Sequence, residues 1–366
     1  MSTTTGVEEE FLLIDPHTGA PVDAAIQVLA RAARQPPAAP DALTQPELLQ
    51  SQVEATTGIC HTLGEVRAQV GAGRRGLAAA AEAEGLWLVS TGTPVCEGRP
   101  PAASPGARFA RIMRTFAGVV AEYQCCGTHV HVGVPDRDLA VAVVNHLAPW
   151  LPTLLALSVN SPFERGRDTG YASWRMVTQS RFPGSGIAPW FASAADYDRQ
   201  VSALVDCGVL ADGRQSFWLA RPSSQWPTVE LRVADAAGTV TEAVLQAALS
   251  RALVDTALAQ LAAGREAEPV DGQLAAGAVW TAARYGLRGP GVHLGTCRPV
   301  PAAGLLTELV ELVRPALEDN GDLATVHAAI ATVTAEGTGA DRQRRAARGG
   351  PLDVVRMLAE QTLEIA

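Results

Sequence analysis

The chain contains Gly127-Thr128-His129-Val130-His131-Val132-Gly133-Val134, in which polar and apolar residues alternate with a period of two. This alternation predicts a β-strand with one face in a hydrophobic core and the other facing a polar space. His129 and His131 share the polar face, and valines occupy the other. Taken alone, the segment also fits a half-solvated strand, because a single histidine pair is more often a hydrogen-bonded feature than a set of metal ligands.

Three further segments show the same alternation with charged residues. In Gly6-Val7-Glu8-Glu9-Glu10-Phe11, the period of two puts Glu8 and Glu10 on one face and Glu9 on the other. Gln52-Val53-Glu54 contributes one more carboxylate, and Thr228-Val229-Glu230-Leu231-Arg232-Val233 places Glu230 and Arg232 on one face. Each segment alone fits a strand with a solvated outer face. Together, four strands that offer carboxylate, imidazole or guanidinium groups with valine behind them favour a shared cavity.

A cavity formed by these faces would crowd several carboxylates together. Like charges at that range do not all stay ionised without a counter-charge, and cations would supply it. Carboxylate oxygens with few nitrogen ligands favour Mg²⁺ or Mn²⁺ over zinc. Such ions flanked by arginine suggest a polyphosphate substrate, whose γ-phosphoryl transfer would be stabilised electrostatically.

The composition excludes several kinds of chemistry. The chain has 366 residues, of which 47% are hydrophobic, and a net charge of −9, which argues against a nucleic-acid partner. It has no lysine, so all 29 basic residues are arginine. Schiff-base formation, pyridoxal phosphate attachment and the Walker A lysine are therefore excluded.

The order of the expected elements indicates the fold class. The segments that alternate as strands lie in the first two-thirds of the chain, and the last third is mostly helical. Thr239 and Glu242 form a capping-box pattern at the start of a long helix that runs to about Leu261. Strands and helices are not regularly interleaved, so we expect an α+β fold with a mainly antiparallel sheet covered by helices.

The compartment follows from what the sequence lacks. Residues 1–11 have no basic and no apolar region typical of a signal peptide. The most apolar segment, Leu139–Val159, contains two prolines and is predicted to form two buried helical pieces rather than a membrane span. The six cysteines show no zinc-binding spacing, and we expect reduced thiols. These observations predict a cytoplasmic protein without a membrane partner.

The motifs together resemble the carboxylate–amine ligase family, also called the glutamate–cysteine ligase type 2 family. The resemblance rests on six segments. In chain order they are the strand that begins at Gly6, the strand that begins at Gly127, Tyr171-Ala172-Ser173, Arg181-Phe182-Pro183 through Pro189, the strand segment that begins at Val229 and is followed by Asp235, and Gly337–Arg344. It implies one catalytic domain over residues 1–366, with a glutamine-synthetase-like sheet curled into a funnel and helices outside. It also implies ATP-dependent formation of a γ-glutamyl amide through an acyl phosphate, with cysteine or another amino acid or amine as acceptor.

The resemblance also suggests roles for individual residues. The expected metal ligands are Glu8, Glu10, Glu54, His129 and Glu230, with Glu47 as a looser match. Arg232 and Glu230 are expected at the reacting groups, and Arg181 as a clamp for a substrate carboxylate, because its fork suits that geometry. Arg232, His131 and Arg342 are assigned to the nucleotide. For Arg342–Arg348, a solvated helix end is an equally good interpretation.

Two loops are candidates for a lid that excludes water from the acyl phosphate, Arg165–Pro189 and Glu97–Gly106. The sequence departs from the family pattern in the short Ala/Pro-rich segment 20–46 and in the absence of a tryptophan between Val177 and Arg181. Both departures leave the identity of the acceptor open.

Two other classes of function remain as alternatives. One is a metal-dependent amide or phosphoester hydrolase that uses the same carboxylate and histidine cavity. The other is a non-catalytic binding protein that keeps the fold. The expected partners are small molecules, glutamate and an amine, and a homodimer is the default expectation.

Overall fold

The computed structural model describes residues 3–364, and a mixed set of strands and helices covers most of them. The strands are β1 (Thr5–Ile14), β2 (Leu43–Pro46), β3 (Gln52–Thr56), β4 (Trp87–Val89), β5 (Gly127–Gly133), β6 (Phe163–Glu164), β7 (Arg167–Asp168), β8 (Ala220–Pro222), β9 (Thr228–Asp235), β10 (Pro290–His293) and β11 (Arg298–Pro301).

The helices dominate the second half of the chain, as expected. They are α1 (Ala25–Ala32), α2 (Leu63–Glu82), α3 (Ala107–Phe116), α4 (Gly118–Ala121), α5 (Arg137–Leu147), α6 (Leu151–Ser158), α7 (Trp174–Gln179), α8 (Ala194–Asp206), α9 (Val240–Ala262), α10 (Gly272–Tyr285), α11 (Ala302–Asp319), α12 (Leu323–Glu336), α13 (Gly339–Ala346) and α14 (Pro351–Leu363).

One seven-stranded antiparallel sheet organises the structure. Its order is β2-β3-β1-β5-β9-β8, and β4 pairs with the end of β1. The four strands expected to face the site, β3, β1, β5 and β9, are therefore adjacent. The predicted α+β class with a mainly antiparallel sheet is confirmed.

The apolar side of the strands forms the main hydrophobic core. Val7, Val130, Val132, Val229 and Leu231 are each no more than 2% exposed and belong to one cluster, which also contains residues of the surrounding helices. Helices α2, α5, α6 and α9 contact the sheet strands on this side. The expected division of each strand into an apolar and a polar face is thus observed, and the polar faces are left to form the site.

The predicted helix boundaries were partly right. Helix α9 begins after Thr239, whose side chain accepts from the backbone N–H of Glu242 in a complete capping box. The sequence also predicts a helix over Arg108–Glu122, and this segment is instead divided into α3 and α4 at Ala117, which has a φ of 45°. Residues 35–46 are rich in Pro and Ala and are predicted to form a loop, but they end in strand β2, which lies at the edge of the sheet.

The apolar segment that raised the membrane question belongs to the core. It forms α5 and α6, separated by a short turn at Ala148–Trp150, as two helical pieces. Within the described residues, Arg137–Ser158 is long and apolar enough to cross a bilayer, but 67% of its most apolar window is buried inside the structure. A helical segment that is buried to this extent is typical of the core of a folded protein.

Candidate active site

Antiparallel register places the polar side chains of four strands next to one another. Glu10 on β1 lies opposite Glu54 on β3, and Glu8 lies opposite His129 on β5. His131 lies in turn opposite Glu230 on β9. Directly opposed residues of antiparallel strands are close neighbours on one face. Strand pairing alone therefore gathers the expected carboxylates and histidines.

One group of potential ligands consists of Glu8, His131 and Glu230, whose ligand atoms all lie within 4.8 Å of one another. His131 Nε2 lies 3.0 Å from Glu8 Oε1, and the other ring nitrogen, Nδ1, is 2.8 Å from the Thr228 hydroxyl. Thr228 thus orients the ring toward the carboxylates. His131, which we expected at the nucleotide, takes part in this group.

The second group consists of Glu10, Glu47 and Glu54, whose oxygens also lie within 4.8 Å of one another. Glu47 directly follows β2, so the strand that the sequence did not predict brings it into place. Burial raises the pKa of Glu54 well above its ordinary value, and the neighbouring Glu47 raises it further. Burial likewise raises the pKa of Glu10. Gln45 donates to Glu54 at 2.5 Å.

His129 lies between the two groups. Its Nδ1 is 3.2 Å from Glu8 Oε2 and its Nε2 is 3.9 Å from Glu10 Oε1. The ring is buried, and Nε2 has no hydrogen-bond partner within residues 3–364. Burial and the Arg232 charge lower the pKa of His129, which keeps the imidazole neutral. A neutral imidazole with an unpaired buried nitrogen is suited to bind a metal ion.

The two groups fit divalent cations. Together with His129 between them, they offer five carboxylates and two imidazoles in a largely buried space, and acidic groups this close require counter-charge. Hard oxygen donors with little nitrogen favour Mg²⁺ or Mn²⁺. The residues present are therefore compatible with the expected metal, although the individual ligand assignments remain predictions.

Two arginines hold Glu230 in its charged form. Arg221, from β8, donates its Nε to Glu230 Oε2 at 2.8 Å, and Arg232 forms a second ion pair with the same carboxylate. Burial alone would raise the pKa of Glu230, but the two guanidinium groups lower it well below its ordinary value. A role for Arg221 could not be predicted from the sequence, because this residue lies on a short strand without an alternating pattern.

Arg232 lies at an irregularity in the sheet. Between Thr128 and Val130 the β5–β9 register shifts by one residue, so β9 carries one extra residue there. Such a bulge re-aims side chains. The Nη1 of Arg232 lies 3.4 Å from His129 Nδ1, which places this cation beside both groups of ligands.

Arg175 is a buried cation that the sequence analysis missed. It is the second residue of α7, two residues after the quoted Tyr171-Ala172-Ser173 motif, and is 3% exposed. Its Nη2 donates to the Arg232 carbonyl at 3.1 Å, and its Nη1 lies 3.8 Å from Asp235. Its Nε has no hydrogen-bond partner in the part of the chain that the structure describes. Gly127 leaves room for this guanidinium, since a Cβ there would lie 2.5 Å from Nη2.

Two predicted site residues lie elsewhere. Arg181 is exposed at the end of α7 and, among the described residues, does not line the cavity beside the carboxylates. Arg342 is buried but pairs with Glu242 at 2.8 Å, at the start of α9, and donates to the Gly337 carbonyl. That pair ties α13 to α9 on the helical side of the sheet. The structure thus shows Arg342 in an ion pair between helices, and its nucleotide contact stays a prediction.

The cavity itself has a volume of about 150 Å³. The sheet supplies Glu10, Gln52, His129 and Arg232. The remaining walls come from α3, α4 and α7, from the residues that follow β2, α4 and α7, and from the segment before β8. The first lid candidate, Arg165–Pro189, contributes three residues to the lining: Arg175, Gln179 and Phe182. The second candidate, Glu97–Gly106, contributes none of the described lining residues.

Comparisons with known proteins agree with this architecture. The family model described as glutamate-cysteine ligase family 2 matches residues 4–357. A protein of Saccharopolyspora erythraea with the provisional name glutamate–cysteine ligase 2-2 is 58% identical over 360 residues, 98% of this chain and 92% of that protein. One of Salinispora arenicola with the provisional name glutamate–cysteine ligase 2 is 45% identical, over 94% of this chain and 90% of that protein.

Solved structures show a similar fold. The glutamate–cysteine ligase of Francisella tularensis, solved in complex with AMP, matches with a TM-score of 0.68 and 13% identity over 100% of this chain and 90% of that one. A bifunctional glutathione synthetase of Pasteurella multocida gives a TM-score of 0.68 and 15% identity over 100% of this chain and 53% of that one. At these identities the likeness concerns the fold.

Proposed function

Because the chain belongs to glutamate–cysteine ligase family 2 and is an ATP-dependent C–N ligase, we propose that it joins the γ-carboxylate of glutamate to an amine. The observation that carries this proposal is the pair of adjacent ligand groups, Glu8/His131/Glu230 and Glu10/Glu47/Glu54, with Arg232 beside them. We treat the whole chain, residues 1–366, as one catalytic domain.

The reaction transfers the γ-phosphoryl group of ATP to the glutamate γ-carboxylate and releases ADP. The nitrogen of the acceptor amine then forms a bond to the carbon of the phosphorylated γ-carboxyl group, the bond from that carbon to the phosphate oxygen breaks, and phosphate leaves. The proton that the amine loses is taken up by the departing phosphate. No side chain is assigned as a general base.

The carboxylates and histidines would hold Mg²⁺ or Mn²⁺. Bound there, the ions would neutralise charge on the triphosphate and on the transferring phosphoryl group. The metal and its ligand assignments are part of this proposal.

The chain's own cations have separate roles in the proposal. Arg232, held by Glu230, presents a guanidinium next to the ligand groups and stabilises charge on the transferred phosphoryl group. Arg175, buried with an unpaired Nε, takes the carboxylate-clamp role that the sequence suggested for Arg181. Arg221 positions Glu230 and does not itself line the cavity among the described residues.

The segment Arg165–Pro189 fits a lid in composition and position. It supplies part of the cavity wall, and it contains Gly166, Gly170, Gly184 and Gly186, all with positive φ. Such positions allow sharp turns in an ordered loop. We propose that this segment excludes water from the acyl phosphate, and no gating role is proposed for Glu97–Gly106.

The alternatives find less support. The metal-dependent hydrolase would require turnover without nucleotide, and neither the family nor the structural neighbours favour it. The other alternative, a non-catalytic binding protein with the same fold, conflicts with membership in a ligase family. A cytoplasmic location and a homodimer stay predictions, as does the absence of nucleic-acid and membrane partners.

The test measures ADP release and product mass in the same reaction. Hydroxylamine serves as a small general acceptor, because it traps an acyl phosphate as a hydroxamate without needing a shaped pocket. We expect ADP only when ATP, glutamate, Mg²⁺ and an amine are all present, together with γ-glutamyl hydroxamate. ADP formation without glutamate, or amide hydrolysis without ATP, would contradict the proposal.

A further inference from the structure

The cavity has an apolar wall that the phosphoryl-transfer chemistry does not use. Six apolar side chains line it, and they come from four separate parts of the chain: Leu48, Phe109, Ile112, Val120, Phe182 and Phe217. Metal ions, phosphates and the carboxylates of glutamate all prefer polar contacts. These side chains also pack against one another in a small hydrophobic cluster, and the parts of them that face the cavity are left for an apolar group of a substrate.

Aromatic packing fixes the shape of this wall. Phe182 and Phe217 stack with ring centroids 4.4 Å apart, and Tyr123 meets Phe182 edge-on at 4.8 Å. Phe116 packs against both phenylalanines from the outside, at 5.2 and 5.9 Å. Rings held by several neighbours form a preformed surface rather than a collapsible one. The cavity of about 150 Å³ has a mixed lining, and these rings form its apolar side.

Cations lie on the same segments as the apolar wall. Arg108 directly precedes Phe109, Arg214 lies three residues before Phe217, and both line the cavity. Arg108 is held by Asp212 at 2.9 Å, which leaves its other nitrogens for a further acceptor. An occupant that carries both an apolar body and a carboxylate fits this combination.

We propose that the acceptor is an α-amino acid with a large apolar or aromatic side chain, in preference to cysteine. This inference rests on the proposed function. The acceptor's side chain lies against the apolar wall, its carboxylate faces Arg108 and Arg214, and its amine attacks the carbon of the phosphorylated γ-carboxyl group as written above. Cysteine has a single methylene and a thiol and would leave most of the wall uncovered. One methylene in a hydrophobic pocket changes specificity by about 10- to 200-fold.

The first experiment is a competition. Equal concentrations of phenylalanine, leucine, cysteine and alanine are incubated with the full chain, ATP, glutamate and Mg²⁺, and the γ-glutamyl products are quantified by mass spectrometry. The expected result is at least tenfold more product from phenylalanine or leucine than from cysteine or alanine. If cysteine or alanine is the best acceptor, the inference is overturned.

The second experiment tests the wall itself. Phe217→Ala is expected to lower the ratio of phenylalanine turnover to hydroxylamine turnover about 10- to 100-fold, and Phe109→Ala to lower it in the same direction. Phe191→Leu is the matched control, because Phe191 packs against Tyr197 and Trp218 and, among the described residues, does not line the cavity. Thermal melts and phenylalanine binding by calorimetry accompany each variant, so a folding defect is recognised.

Three outcomes separate the possibilities. If Phe217→Ala and Phe109→Ala instead raise KM for ATP and leave the acceptor ratio unchanged, the wall holds the adenine ring and the inference is wrong. If both variants leave KM for ATP and the acceptor ratio unchanged, the wall binds no substrate and the inference is wrong. If the natural chain forms no hydroxamate with hydroxylamine, the proposed ligase reaction itself fails.

Discussion

The sharpest test of the metal site replaces one carboxylate by its amide, Glu54→Gln. The oxygens of Glu10, Glu47 and Glu54 lie within 4.8 Å of one another. At an effective dielectric constant of about 20, two unit charges at that 4.8 Å separation repel by about 3.5 kcal/mol. This is far more than the ~1.4 kcal/mol of a tenfold change in equilibrium, so three bare charges do not coexist there without a cation or a proton.

The amide keeps the shape and removes the charge. Gln45 donates to Glu54 Oε1, and a glutamine at position 54 retains an oxygen that accepts this hydrogen bond. The variant should therefore fold, while its loss of a charged ligand should weaken Mg²⁺ binding at least tenfold. At a Mg²⁺ concentration 100 times the dissociation constant, the natural chain gains about 2.7 kcal/mol of stability. A tenfold weaker site gains about 1.4 kcal/mol at the same concentration.

The assay is thermal unfolding with EDTA and with increasing Mg²⁺ or Mn²⁺. The rise in Tm on adding metal should fall to about half or less in Glu54→Gln. Glu308→Gln is the control, because Glu308 is exposed and pairs only with His293 among the interactions described for it. An unchanged metal-dependent rise in Tm in Glu54→Gln would show that this carboxylate binds no cation and would refute the reasoning.

Three further predictions follow from the arginines and their partners. Glu230→Gln should abolish glutamate-dependent ADP release while the melting curve stays cooperative, and unchanged activity would remove Glu230 from the site. Arg175→Ala should lower kcat/KM for glutamate at least 100-fold whereas Arg181→Ala changes it less than threefold, and the reverse order in steady-state kinetics would restore the sequence-based assignment. Arg342→Ala leaves Glu242 without its buried partner, so it should destabilise the fold by about 3–5 kcal/mol in denaturant melts. KM for ATP should be unchanged in the folded protein, and a raised KM would place Arg342 at the nucleotide after all.

The strand faces were accessible from the sequence because β-strand alternation is a local property. Val130 and Val132 identify the buried side of β5, and this fixes His129 and His131 on the other side without knowledge of any partner. The assignment of the two histidines was less secure. His131 belongs to the ligand group that contains Glu8 and Glu230, whereas His129 lies between the two groups. This difference depends on how the strands pair, which the alternation of residues within one strand does not encode.

The sequence-based roles and the structure differ most where distant segments meet. Arg181 was selected because its fork suits a substrate carboxylate, but it is exposed just after α7, and Arg175, six residues earlier, lines the cavity. Arg342 was assigned to the nucleotide from an arginine-rich segment, yet its partner Glu242 is 100 residues away. Neither outcome follows from local spacing, because both depend on how helices pack.

The sequence by itself determined the fold class, the ligase family, the exclusion of lysine chemistry and the polar face of each central strand. Those features depend on composition, short-range periodicity and ordered motifs. Only the tertiary structure decided that the carboxylates form two groups, that Arg175 lines the cavity and Arg221 pairs with Glu230, and that apolar side chains form one wall of the cavity. Side chains from separate parts of the chain create these features, and their distances are set by strand register and helix packing rather than by neighbours in sequence.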